Sequence, residues 1–337
     1  MDLQAAIFTS IINQFSKKAH AVSAISELLS LQPNAIYRRI RGESPLLANE
    51  MAILSKHFKL SLDTLLSSQS DQVQFTYPAL IETPKDFVSY LDNLATQIAV
   101  LPTINGHLKY ASAEIPIYHY CFFPEIIAFK LYTWGQTTWN FPYLQNRKFA
   151  INIMSPSDYR AANNFLQKYL LVPSTELWSL NALDNTLNQI VHCVQSGNMT
   201  NPEEGLILCD KLNELVSHLQ KMAVTGKKFP VKAKFTEQRT DFTLLQNETI
   251  YTGNCIIVLS NLGKTVYTTF NNPNYIKTNN EKTTLEMESW FDRITNQSKL
   301  ISVHAEKDRQ LYFNTLVRKI ERTRLSINRF LEEDFIF

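Results

Sequence analysis

Glycine is scarce in this chain, eight residues in 337, and that scarcity removes a class of function. Phosphate-cradling loops need glycine where backbone approaches a ligand closely, and no GxGxxG, GxxxxGK[ST] or GxSxG pattern occurs. HExxH is missing too. The close His/Cys pairs, His119 with Cys121 and His192 with Cys193, have no helical i, i+4 companion, so buried core accounts for them better than zinc. On this reading the chain has no catalytic residue, no metal and no cofactor, and it is not an enzyme.

Long apolar runs are also lacking. No stretch reaches the roughly eighteen apolar residues of a membrane span, and the N-terminus lacks the charged-then-apolar order of a signal peptide. The four cysteines, at 121, 193, 209 and 255, show no CxxC pairing, which suits reduced, buried thiols. The expectation is a soluble, cytoplasmic protein with no membrane partner.

What is present begins with 45% hydrophobic and 19% charged residues, ample for two or three domains. Residues 23–66 are the most informative, reading as four short amphipathic helices of which the second is basic. Ser23 is a candidate N-cap for a helix over 24–30, where Ile25, Leu28 and Leu29 form an apolar face. Pro33 suits the first turn of the next helix, because its missing N–H would have no partner there, and Gly42 ends it. At about 100° per residue Ile36 and Ile40 face inward. Asn34, Arg38 and Arg41 then face outward, with Tyr37 at the edge. That set matches what a major groove offers: arginine can donate twice to guanine, asparagine can bridge adenine, and tyrosine can touch a thymine methyl. Lys17, Lys18, Ser23, Gln32 and Lys56 are the candidate phosphate contacts. Residues 1–70 carry seven Lys or Arg against five Asp or Glu, a net of +2, which equals the excess of the whole chain.

This segment resembles the lambda-repressor-like helix-turn-helix of the XRE type. The resemblance rests on Leu29, Leu31, Ile36, the Arg41-Gly42 pair and the run SKHFKLSLDTLL over 55–66, about a fifth of the chain. Two positions depart from the pattern. Arg39 stands where an apolar residue is usual, with Ile40 one place later, and Ser30 replaces the usual turn glycine. The resemblance implies a sequence-specific, DNA-binding transcription regulator. A single module with so small a charge excess should bind weakly, which argues for a homodimer on double-stranded DNA. A protein-interaction adaptor that keeps the helix-turn-helix shape without reading DNA is the alternative.

The expected organisation is a DNA-binding domain over 1–68, a linker over 69–84, a helical dimerisation or ligand-sensing region over 85–228, and an α+β module over 229–337. The fold class is accordingly mainly α, with a small antiparallel sheet near the C-terminus. In the middle region Phe87, Leu91, Leu94 and Ile98 make a heptad-like stripe that suits either ordinary packing or a short coiled coil. Ten aromatic residues fall between 115 and 143, against 11% for the chain. Either plain core or an effector pocket accounts for them. The pocket reading names Tyr118, His119, Tyr120, Phe123, Lys130 and Trp134, an aromatic wall with polar tips for a small-molecule effector. The stretch IPIYHY followed by FPEIIAFKLYTW resembles uncharacterised bacterial regulators and brings no ligand with it. Helices are predicted over 157–171, from a cap at Ser174 through Trp178 to Ile190, and from Pro202 to a stop at Gly226. From Lys234 the Thr, Ile, Val and Tyr content predicts a four-stranded antiparallel meander, covered by helices over 282–297 and 306–331. The basic residues of the last helix, Arg309 among them, read as a solvated face.

Overall fold

The computed structural model describes residues 3–58, 60, 62, 65, 73–77, 85–231, 240–248 and 253–334. Two compact units divide the chain, Met1–Gln74 and Phe75–Phe337. The expected linker, 69–84, lies mostly outside the described residues.

The first unit holds helices α1 (Leu3–Ile12), α2 (Lys18–Leu29), α3 (Pro33–Ile40) and α4 (Ala48–His57). Ile7, Phe8, Ile11, Ile25, Ile36 and Leu54 meet in one core. The basic helix α3 begins at Pro33 and closes at Gly42, whose φ of 75° is the left-handed geometry glycine adopts without a Cβ penalty. Two expectations need correction. The helix predicted over 24–30 starts six residues earlier, so Ser23 lies inside α2 and Lys17 occupies the cap position. In addition α1, absent from the sequence reading, supplies three of the buried side chains.

The second unit is built on one mixed sheet of seven strands in the order β6-β5-β4-β1-β2-β3-β7. The strands are β1 (His107–Ser112), β2 (Ser174–Trp178), β3 (Phe242–Gln246), β4 (Cys255–Ser260), β5 (Gly263–Asn271), β6 (Asn274–Thr278) and β7 (Lys299–Leu300). β1, β2 and β3 run parallel to one another, whereas β4, β5 and β6 form an antiparallel meander on one side. The boundary expected at 228/229 therefore cuts through a single sheet. The sheet is neither small nor wholly antiparallel, and β3 pairs with β2 and not with β4. Ser174 opens a strand instead of capping a helix.

Strand side chains alternate between two cores, as the pleat requires. Leu108, Tyr110, Trp178, Phe242, Leu244 and Ile256 join the large helical core, while Ala111, Leu177, Leu245 and Ile257 face the other way. The large core is roofed by α5 (Phe87–Ala99), α7 (Pro124–Thr137), α8 (Pro156–Tyr169), α9 (Asp184–Gln195), α10 (Glu204–Thr225) and α12 (Glu306–Asp334), with one turn, α6 (Ile117–Tyr120), beside them. The opposite face is covered by α11 (Glu281–Asn296) through Phe291 and Ile294. The stripe on α5 packs within its own unit, and Arg309, predicted as solvated, is 5% exposed and donates toward the carbonyls of Ile301 and Val303. Among the described residues no helix is long and apolar enough to cross a membrane.

Candidate functional site

The outward face of α3 is fixed by what its inward face does. Ile36 is fully buried, and this places Asn34, Arg38 and Arg41 in solvent. Tyr37 is half-buried against the unit's core, with the Lys18 ammonium 6.0 Å from its ring. All five phosphate candidates, Lys17, Lys18, Ser23, Gln32 and Lys56, are exposed. Arg41 lies just past the helix and donates to Glu43 through Nε at 2.5 Å and Nη2 at 2.9 Å; Arg38 Nε approaches the same carboxylate at 3.9 Å. The hydrogen bonds from Arg41 hold the Glu43 carboxyl below its ordinary range.

Sequence reasoning missed the residues that hold α3 in place. Gln4 on α1 donates to the carbonyls of Arg39 at 2.6 Å and Ser44 at 2.9 Å and accepts from the Leu46 N–H at 2.8 Å. Arg39 makes a two-point bond to Glu50 of α4, at 3.1 and 2.9 Å, and Glu50 also accepts from the Leu47 N–H. The arginine that departs from the family pattern is therefore a strut in place of an apolar plug, its planar fork matching the carboxylate. A glutamate eleven residues from an arginine carries no periodic signal. Only the misfit of Arg39 to the apolar pattern hinted at it.

The aromatic segment is arranged differently from the expectation. His119, Tyr120, Phe123, Lys130 and Trp134 are all buried. His119 Nε2 sits 2.9 Å from Glu176 Oε2, and Tyr169 and Ser174 donate to Glu176 Oε1 at 2.6 and 2.9 Å. Lys228, fully buried, donates to the Val172 carbonyl at 2.6 Å, with its ammonium 3.5 Å from the centre of the Tyr169 ring. Burial alone would raise the Glu176 carboxyl, but attraction and a hydrogen bond from His119, helped by Lys228 and Tyr169, hold it down at about 2. Burial brings the Lys228 amine down to about 7 against the pull of Glu176. A second centre gathers on Lys130, which donates to Glu114 at 2.8 Å, Gln189 at 3.0 Å and Thr186 at 3.3 Å; Tyr120 bonds the same Thr186. Of the six pocket residues, Tyr118 borders a cavity that lies between α5 and the sheet.

Among the described residues no three His, Cys, Asp or Glu side chains gather as metal ligands do. All four cysteines are buried, and burial pushes the Cys193, Cys209 and Cys255 thiols up to about 12, far from the thiolate form that reacts. Compared with family models, curated proteins and solved structures, the chain finds no match in any of the three.

Proposed function

We propose that this chain is a sequence-specific DNA-binding transcription regulator of the lambda-repressor-like, XRE type, acting as a homodimer from the cytoplasm. The observation that carries the reading is the exposed Asn34, Arg38 and Arg41 on and just past a short helix anchored by Ile36, with exposed Lys17, Lys18 and Lys56 in the same unit. Asn34, Arg38 and Arg41, with the edge of Tyr37, read bases; the lysines, Ser23 and Gln32 hold phosphates and set the register. The modest charge of one unit makes two copies necessary, on half-sites about 34 Å apart.

The test is selection of bound duplexes from a random pool by the intact protein, repeated with Arg38→Ala and Arg41→Ala. A palindromic motif is expected, with each substitution relaxing one position of every half-site and costing about 1–3 kcal/mol. An adaptor would enrich no motif at any salt concentration, whereas a reader loses affinity steeply as salt displaces it. No enrichment by folded protein at low salt sinks the proposal.

A further inference from the structure

A cavity of about 140 Å³ lies between α5 and the helical face of the sheet. From α5 come Tyr90, Leu94 and Ile98; from the sheet come Tyr110, Ile256, Tyr267 and Tyr275; Tyr118 and Phe165 also line it. Asn93 and Gln97, exposed on α5, stand at its rim and bond to each other at 3.0 Å. Its volume is close to that of an apolar cavity known to hold benzene, about 150 Å³, so one aromatic ring fits.

Three features define the occupant. No charged side chain lines the cavity among the described residues, so an ion entering it would lose its hydration without a counter-charge. The walls are rings and branched aliphatic chains, which favour a flat apolar body. The hydroxyls differ in how they are satisfied. Those of Tyr110 and Tyr275 bond each other at 2.9 Å, while those of Tyr90 and Tyr118 have no hydrogen-bond partner among the described residues, although the two side chains are only 7% and 9% exposed. Tyr118 is held rigidly, stacked on Tyr169 with ring centres 4.4 Å apart and planes within 7°. Tyr90 is packed on Trp139 at 4.5 Å. Two positioned hydroxyls without a protein acceptor line a largely apolar cavity, and an acceptor oxygen placed there takes their hydrogen bonds in place of water.

We propose that this cavity binds an uncharged, ring-bearing small molecule that presents an acceptor oxygen to the hydroxyls of Tyr90 and Tyr118. Its ring lies between α5 and the sheet, and any longer substituent leaves past Asn93 and Gln97. The site belongs wholly to the second unit and stands whether or not α3 reads DNA.

The experiment titrates the full chain with propiophenone, an uncharged single-ring ketone, and follows the heat of binding. Saturable one-site binding is expected. Leu94→Trp, which fills the cavity from its half-buried edge, should weaken binding at least about tenfold, and Val258→Trp serves if that variant does not fold. Tyr118→Phe should weaken it a few-fold without changing the melting temperature. Leu325→Trp, on an exposed position of α12, should leave it unchanged. Absence of saturable binding by the folded protein overturns the proposal, and so does binding that both filling variants leave intact. Equal affinity for benzoate, a single-ring anion, overturns the assignment to uncharged ligands.

Discussion

The two units handle charge in opposite ways. The first keeps Asn34, Arg38, Arg41, Lys17, Lys18 and Lys56 in water and uses a few part-buried bonds, from Gln4 and between Arg39 and Glu50, to hold α3 in place. The second takes Glu176, Lys228, Lys130 and Arg309 out of water and gives each a specified set of partners. The contrast separates two uses of an ionic group. A charge at the surface is weakly bound and free to exchange its partner. A charge in the core must be matched when the chain folds, because an unmatched one costs several kcal/mol. Buried charge therefore selects one arrangement of strands and helices, and surface charge is left free for the recognition proposed above.

The largest effect should come from breaking the buried set. Glu176→Ala leaves His119, Tyr169 and Ser174 without their common acceptor and should cost about 3–5 kcal/mol in urea unfolding of the second unit. A loss below about 1 kcal/mol would remove Glu176 from the centre of that core. The same carboxylate is held below its unfolded value of 4.5, so its stabilisation is fully present above that pH and fades as pH falls toward about 2. Acid unfolding in this window should become shallower in the Ala variant.

Next in size is a pH effect of the same sense in a higher window. Lys228 titrates near 7 in the folded chain and at 10.5 when unfolded, so between these values the unfolded state binds more protons. Stability should then rise with pH from 7 to about 9, by up to about 1.4 kcal/mol per unit. Lys228→Met should flatten that slope, and an unchanged slope would show that the amine is not the titrating group.

A smaller effect should appear in the first unit. Gln4→Ala removes three bonds to the backbone of the last turn of α3 and the loop after it, and should cost about 1–3 kcal/mol. It should also weaken duplex binding although Gln4 lies on α1, away from the reading face; full affinity in this variant would mean that α3 needs no such clasp. The smallest effect should be a gain. Ser30 ends α2 in the left-handed region at φ 53°, and Ser30→Gly should stabilise by about 0.5–1 kcal/mol, less if glycine's freedom in the unfolded chain dominates. A thermal melt decides its sign.

Elements with punctuation were legible from sequence. Pro33 and Gly42 bracket α3, and Gly226 stops α10. β1 and β2 were not, and the reason is local. β2 turns Glu176 inward, so its pattern of apolar residues is interrupted at the position that matters most to the core. β1 is six residues in which lysine and histidine alternate with Leu108 and Tyr110, and Lys109 reaches Asp292 of α11 at 2.6 Å. Strand pairing across more than sixty residues leaves no trace in local spacing. The outward set on α3 could be read because it depends on one helix alone. The cavity could not, because its walls come from α5, α8 and four strands distant in sequence.

The order of the strands also bears on how the protein is made. β1 and β2, neighbours in the sheet, leave the ribosome well before β4, which closes the other edge of β1. At roughly 5–20 residues per second, the interval from Trp178 to Cys255 is several seconds long. Through that interval the nascent chain presents an open strand edge beside a half-built aromatic core, the form most prone to pair with a stranger. A message that stops short of β4 would therefore yield no smaller working version of the second unit, only a chain for quality control to remove.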